Sequence, residues 1–97
     1  MRRPQEVDWD DQKSKLLKEK RGFFFEEVIE IFSNPYVVQE NINYPEQQKI
    51  IGFAKGMLIS LIIEDRHDER GEYTWLVTYW KADKGERGIY ERATKNI

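Results

Sequence analysis

The spacing of apolar residues along the chain switches from helical to extended and back to helical. The stretch DWDDQKSKLLKEKRG (8–22) predicts a helix: Asp10 suits the N-cap, acids occupy the first turn, bases the last, and Gly22 makes a good stop. Its apolar face is thin, mainly Trp9, Leu16 and Leu17, so the helix is expected to lie on the surface of something else. Residues 1–7 read as a mobile or edge segment. In FFFEEVIEIFSNP, Phe25, Val28, Ile29 and Phe32 fall at i, i+3, i+4 and i+7, the stripe of an amphipathic helix. Asn34-Pro35 ends it, because proline disfavours a helical residue before it.

Four strand-like runs follow. YVVQENI (36–42) is short and mixed. QKIIGFA (48–54) is apolar around Gly52, which marks a bulge or a close backbone approach. Lys55-Gly56 predicts a tight turn. MLISLIIE (57–64) is apolar throughout, as in a central strand covered on both faces. DRHDERGE (65–72) reads as a charged loop and YTWLVTYW (73–80) as the fourth strand. Alternation within that strand would put Trp75 and Tyr79 on one face and Trp80 on the other. KADKGERGIYERATKNI reads as a closing helix weakened by Gly85 and Gly88. Short connections between successive strands favour an antiparallel meander. The expected fold is a single α+β domain over residues 1–97, with two N-terminal helices, a four-stranded antiparallel sheet and a short C-terminal helix.

Composition narrows the chemistry. The 97 residues suffice for one domain, which buries roughly two-thirds of its unfolded surface and so needs large core side chains. Five Phe, five Tyr and three Trp supply them. There is no Cys, which excludes disulfides, thiolate metal sites and cysteine nucleophiles and suits a reducing cytoplasm. No apolar run is long enough to span a membrane, and the start lacks a signal-peptide core, so a soluble cytoplasmic protein is expected.

The net charge of −2 argues against a general nucleic-acid binder, but the charge is unevenly spread. Residues 1–22 and 73–97 each carry a net +2, and residues 23–72 a net −6. If the ends meet, they make one modest basic face. The lone His67 has no His or Cys partner, and no acidic spacing matches a calcium loop. No nucleotide-binding glycine loop or nucleophile elbow is present. No cofactor or metal is therefore expected. The chemistry that remains belongs to Lys, Arg, Glu and Tyr. Such groups suffice to cleave RNA without metal: a base for the 2′-hydroxyl, cations for the phosphate, and a proton for the leaving oxygen.

Three stretches in order, VDWDDQKSKLLKEKRGFFFEEVIEIFSNP, PEQQKIIGFAKGMLISLII and LVTYWKADKGERGIYER, resemble the BrnT family, the toxin half of a bacterial type II toxin–antitoxin pair. The likeness runs over roughly residues 7–91. It implies a RelE-like core, a metal-independent ribonuclease (a hydrolase acting on RNA), and neutralisation by a DNA-binding BrnA-like antitoxin. A homodimer or a hetero-oligomer with the antitoxin fits the same picture. The chain departs from the family pattern in places. Arg21 stands where the family has His, Gln47 where it has Arg, and Trp75 and Thr78-Tyr79-Trp80 where it has Arg and Ser-Ala-Arg.

The resemblance, with the residue types, nominates Lys20, Arg21, Glu46, Lys81 and Glu86 as catalytic. Lys20 and Arg21 grip a phosphate or simply complement a helix C-terminus. Glu46 is a general base or a strand-edge carboxylate, and Lys81 a transition-state cation or a strand-end charge. Glu86 and Tyr90 share a helix face. Lys49, Trp75, Tyr79 and Tyr90 are nominated for substrate or partner binding, with core packing as the ordinary alternative for the aromatics. The competing functional reading is a catalytically degraded scaffold that binds a protein.

Overall fold

The computed structural model describes residues 6–69 and 71–95. The chain forms β1 (Val7–Trp9), α1 (Asp11–Arg21), α2 (Phe25–Val28) running on as a 3-10 turn (Ile29–Ser33), β2 (Tyr36–Glu40), β3 (Gln47–Ala54), β4 (Met57–Asp68), β5 (Gly71–Lys81) and α3 (Lys84–Thr94). The fold is α+β, and the described residues form three helices and a five-stranded mixed sheet in the order β1-β5-β4-β3-β2. Strands β2 to β5 form the expected antiparallel meander.

The fifth strand is a correction. Val7–Trp9 pairs in parallel with Thr74–Leu76 of β5, so what reads as an edge segment or the start of a helix is a strand. Its three residues are too few for periodicity to reveal. The charged loop at 65–72 is a second correction. Strand β4 runs on to Asp68 and β5 begins at Gly71, with Asp68 opposite Gly71, so most of that charge lies on a solvated hairpin. Residues 1–5, the first part of the N-terminal segment, lie outside the described residues.

Helix α1 has the expected ends. The Asp10 carboxylate accepts from the N–H groups of Gln12 (2.8 Å) and Lys13 (3.1 Å), and Gly22 closes the helix at φ +103°. The second helix differs. Only Phe25–Val28 is α-helical, and the 3-10 turn after it changes the buried set to Phe25, Val28, Ile31 and Phe32. The tighter period of about three brings Ile31 fully inward and leaves Ile29 partly buried against the same core. Ile31 is needed there because it sits over Gly52.

A Cβ on Gly52 would fall 2.9 Å from Ile31 Cγ1, 3.0 Å from Tyr36 Cβ and 3.2 Å from Pro35 O. The glycine thus marks a close approach of the 3-10 turn to β3, where no register shift with β4 occurs. Gly52→Val is expected to destabilise the protein by about 1–3 kcal/mol through overpacking. The check is a lower urea midpoint at unchanged m-value. The Lys55-Gly56 turn has φ +53° and +76°, the left-handed pair that a two-residue hairpin requires.

The main core lies between α1, α2 and the 3-10 turn on one side and one face of the sheet on the other. Leu17, Phe25, Val28, Ile31 and Phe32 meet Ile50, Ile59, Leu61, Ile63, Leu76 and Tyr79 there. The other face carries only a small cluster of Ile51, Leu58 and Ala82, covered by Ile89 and Tyr90 of α3. The rest of that second face is open.

Candidate functional site

The open face is set by one irregularity. Ile63 pairs with Leu76 and Ile62 with Thr78, leaving Val77 as an extra residue in β5. Such a bulge reverses the side-chain alternation beyond it. Leu76 and Tyr79 both enter the helix-side core, while Trp75, Thr78 and Trp80 register with the open-face residues of β4. The expectation that Trp75 and Tyr79 share a face is therefore overturned: Trp75 goes with Trp80. A periodicity of two cannot locate an inserted residue within an aromatic run.

Cross-strand pairing then arranges the open face in rows. One row is Lys49, Ile62 and Thr78, flanked by Ile51, Ser60 and Trp80 on one side and by Gln47, Glu64 and Trp75 on the other. Arg21, at the end of α1, reaches the β5 edge. Its Nη1 donates to Tyr79 O at 2.7 Å and to Thr78 Oγ1 at 3.3 Å. Arg21 and Lys49 thus close the two ends of the row, with the backbones of β3 and β5 about 10 Å apart across β4.

Glu86 is the hub at the α3 end. Its carboxylate accepts from Lys49 Nζ at 2.7 Å, from Trp80 Nε1 at 3.0 Å and 3.3 Å, and from the Asp83 N–H at 3.0 Å. The Glu86 N–H in turn donates to the Asp83 carboxylate at 2.8 Å, completing a capping box at the start of α3. Burial pushes the Glu86 carboxyl up. Lys49, the Asp83 N–H, Trp80 and the adjacent Ser60 hydroxyl outweigh it and hold the pKa below the usual carboxylate range. The ammonium of Lys49 also lies 5.9 Å from the Trp80 ring centroid.

Toward the other end, Arg66 stacks on Trp75 with its guanidinium carbon 4.3 Å from the ring centroid. It also bonds Glu64 at 2.8–2.9 Å, while Gln47 Nε2 donates to the second Glu64 oxygen at 2.8 Å. The Gln47 bond and then the Arg66 bond lower the Glu64 pKa. Beyond, a cavity of about 60 Å³ is lined by Glu6, Asp8, Asp68 and Glu72 with Val7, Gly71 and Tyr73. These carboxylates limit how far an anionic ligand extends in that direction.

The nominated residues thus divide. Lys49 and Glu86 meet, and Arg21 lies at the far end of the same face. Trp75 is half-buried on it. Lys20, Glu46 and Lys81 are exposed and form no ion pair with a described residue. Glu46 sits in the turn before β3, whereas Lys81 aligns through Ile59 with Gly52. That places them about 20 Å apart along the strand direction. Lys81 also pairs with a helix-side core residue and so stands on the side of the sheet away from Glu86.

Tyr79 is buried. Its hydroxyl donates to Phe23 O and accepts from Phe23 N, both at 2.8 Å, and burial raises its pKa. It fastens the α1–α2 connection to the sheet. Tyr90 donates to Pro35 O at 3.1 Å and packs its ring on Phe53, holding α3 across β2 and β3.

Trp80 was missed as a site residue, although its position beside Lys81 in a strand rich in aromatics was visible. Ser60 gave no signal in its apolar run. Among the described residues no His, Asp and Glu side chains group to hold a metal ion. No helix among them is long and apolar enough to cross a membrane.

No family model matches the chain, and no curated protein matches it. The likeness to BrnT rests on the motifs quoted above.

Proposed function

We propose that this chain is a BrnT-like protein acting on RNA and neutralised by a BrnA-like antitoxin, and that single-stranded RNA lies on the open sheet face. The observation that supports the reading is the pairing of cations with half-exposed indoles on one face. Trp80 lies beside Lys49 and Trp75 beneath Arg66, with Arg21 at the edge. Aromatic platforms rimmed by cations take single strands without reading sequence, because every base has a face to stack. On this reading Arg21 and Lys49 hold phosphates and the indoles take bases.

A second reading, a binding module without catalysis, is favoured by the carboxylates. Glu86 is buried and bonded on both oxygens, and Glu46 is remote from Lys81. Neither carboxylate therefore stands as a free base beside Lys49 and Arg21.

One set of measurements separates the two. Purified protein is incubated with a long structured RNA in EDTA, and tryptophan quenching by oligouridylate is followed as salt is raised. The ribonuclease reading expects cleavage that Lys49→Ala and Arg21→Ala each abolish. RNA binding expects quenching that weakens with salt, and about a tenfold loss of affinity or more in Trp75→Ala, since one stacked base contributes about 1–3 kcal/mol. Folded protein that neither cuts nor binds RNA would retire the RNA proposal in favour of a protein partner.

A further inference from the structure

The donors around Glu86 form a constellation that a helix cap does not require. Four come from four separate elements: Lys49 Nζ from β3, Ser60 Oγ from β4, Trp80 Nε1 from β5, and the Asp83 N–H at the start of α3. Three of them bond the carboxylate at 2.7–3.0 Å. The fourth, Ser60 Oγ, is completely buried and makes no hydrogen bond of its own, and Ser60 stands directly opposite Trp80 on the same sheet face. Among the described residues no cation but Lys49 bonds the carboxylate, and of these donors only the Asp83 N–H belongs to the capping box. Remove the Glu86 side chain and a cation, an indole N–H, a hydroxyl and a backbone N–H remain converged on one volume with no acceptor. That is the donor set of an oxyanion site, one cation with directional N–H and O–H donors, which suits a phosphate as well as a carboxylate.

We propose that this donor cluster is a phosphate-binding subsite at the α3 end of the open face, and that the Glu86 carboxylate closes it from within. Glu86 is an internal competitor, so occupancy by a phosphate requires the side chain to swing out.

Two features make the swing feasible. Glu86 belongs to a helix that contains Gly85 and Gly88, and that helix covers a buried cluster of only three residues. The subsite adjoins the row that ends at Arg21, so a phosphodiester seated there continues onto the proposed RNA face. The ligand's larger identity rests on that reading. The anion site itself rests on the four donors.

The test uses inorganic phosphate, followed by the Trp80 indole N–H resonance and by thermal stability, against potassium chloride at equal ionic strength. In Glu86→Ala, phosphate is expected to move the Trp80 resonance and raise the melting temperature, with an affinity at least about tenfold above wild type, a gain of about 1.4 kcal/mol. Glu86→Gln keeps the shape of the side chain and an acceptor for the Asp83 N–H, and serves if the alanine variant does not fold. Adding Lys49→Ala to either variant is expected to abolish the response. A Trp80 resonance that ignores phosphate in every folded variant, wild type included, overturns the proposal. So does a response that survives Lys49→Ala. Phosphate binding by the Glu86 variants without RNA binding by wild type would leave the subsite standing and remove only the RNA reading. RNA binding without any phosphate response would do the reverse.

Discussion

Phe25→Ala is expected to cost about 3–5 kcal/mol, the range for removing a fully buried phenyl ring. Phe25 has no exposed surface, and its ring lies 6.1 Å from that of Trp9 and 6.2 Å from that of Tyr79. It therefore joins β1, α2 and β5 in one contact set. Its N–H is held at 2.8 Å by the buried Ser14 hydroxyl of α1, so the backbone cannot readily move inward to fill the space. Domains of this size have about 5–15 kcal/mol in total, so the loss is a large share. A melting temperature lower by about 12–40 °C is expected, at about 4–8 °C per kcal/mol. A loss under about 1 kcal/mol would mean that the β1–α2–β5 junction is not part of the cooperative core.

The second large effect is Lys49→Met. Breaking a buried ion pair by removing one partner strands the other charge, at a cost of about 3–5 kcal/mol. The Glu86 side chain is 7% exposed, but that of Lys49 is 28% exposed, and solvent around Lys49 reduces the loss. About 2–3 kcal/mol near neutrality is expected.

The pH dependence has a definite sign. In wild type the folded pKa of Glu86 lies below its ordinary 4.5, so its contribution is complete above that value and is lost as pH falls through the depressed folded pKa. Without Lys49 the strongest bond opposing burial is gone, so the folded pKa of Glu86 lies above that of wild type and the loss is greatest where the carboxylate is ionised, near neutrality. Protonation relieves that penalty. The gap between wild type and Lys49→Met should therefore be widest near pH 7 and narrow as pH falls below 4.5, which urea midpoints at neutral pH and through the acid range will show. A gap constant with pH would mean that the loss does not come from the Glu86 charge.

Local elements were legible wherever one signal dominates. The Asp10 and Gly22 ends of α1, the Lys55-Gly56 turn and the apolar runs of β3 and β4 are each set by a few residues with strong local preferences. The 3-10 turn was not legible, because the Phe25–Phe32 stripe fits an α-helix. The close seat of Ile31 over Gly52 selects the tighter winding. β1 was invisible for a related reason: three residues gain strand geometry only when β5 offers its edge.

The candidate site was legible in part. Lys49 and Glu86 are 37 residues apart, and only the approach of α3 to the open face brings them into contact. Trp75 and Trp80 share a face solely because Val77 is inserted between the paired residues. By itself the sequence determined that this chain is cysteine-free and α+β, with basic ends and with Lys, Arg, Glu and Tyr as its available chemistry. Those properties depend on residue identity and short-range spacing. The tertiary structure alone decided which charges pair, which aromatics are buried and that Glu46 and Lys81 stay apart. Each of those outcomes depends on strand register and on which helix covers which face, and a single inserted residue changes both.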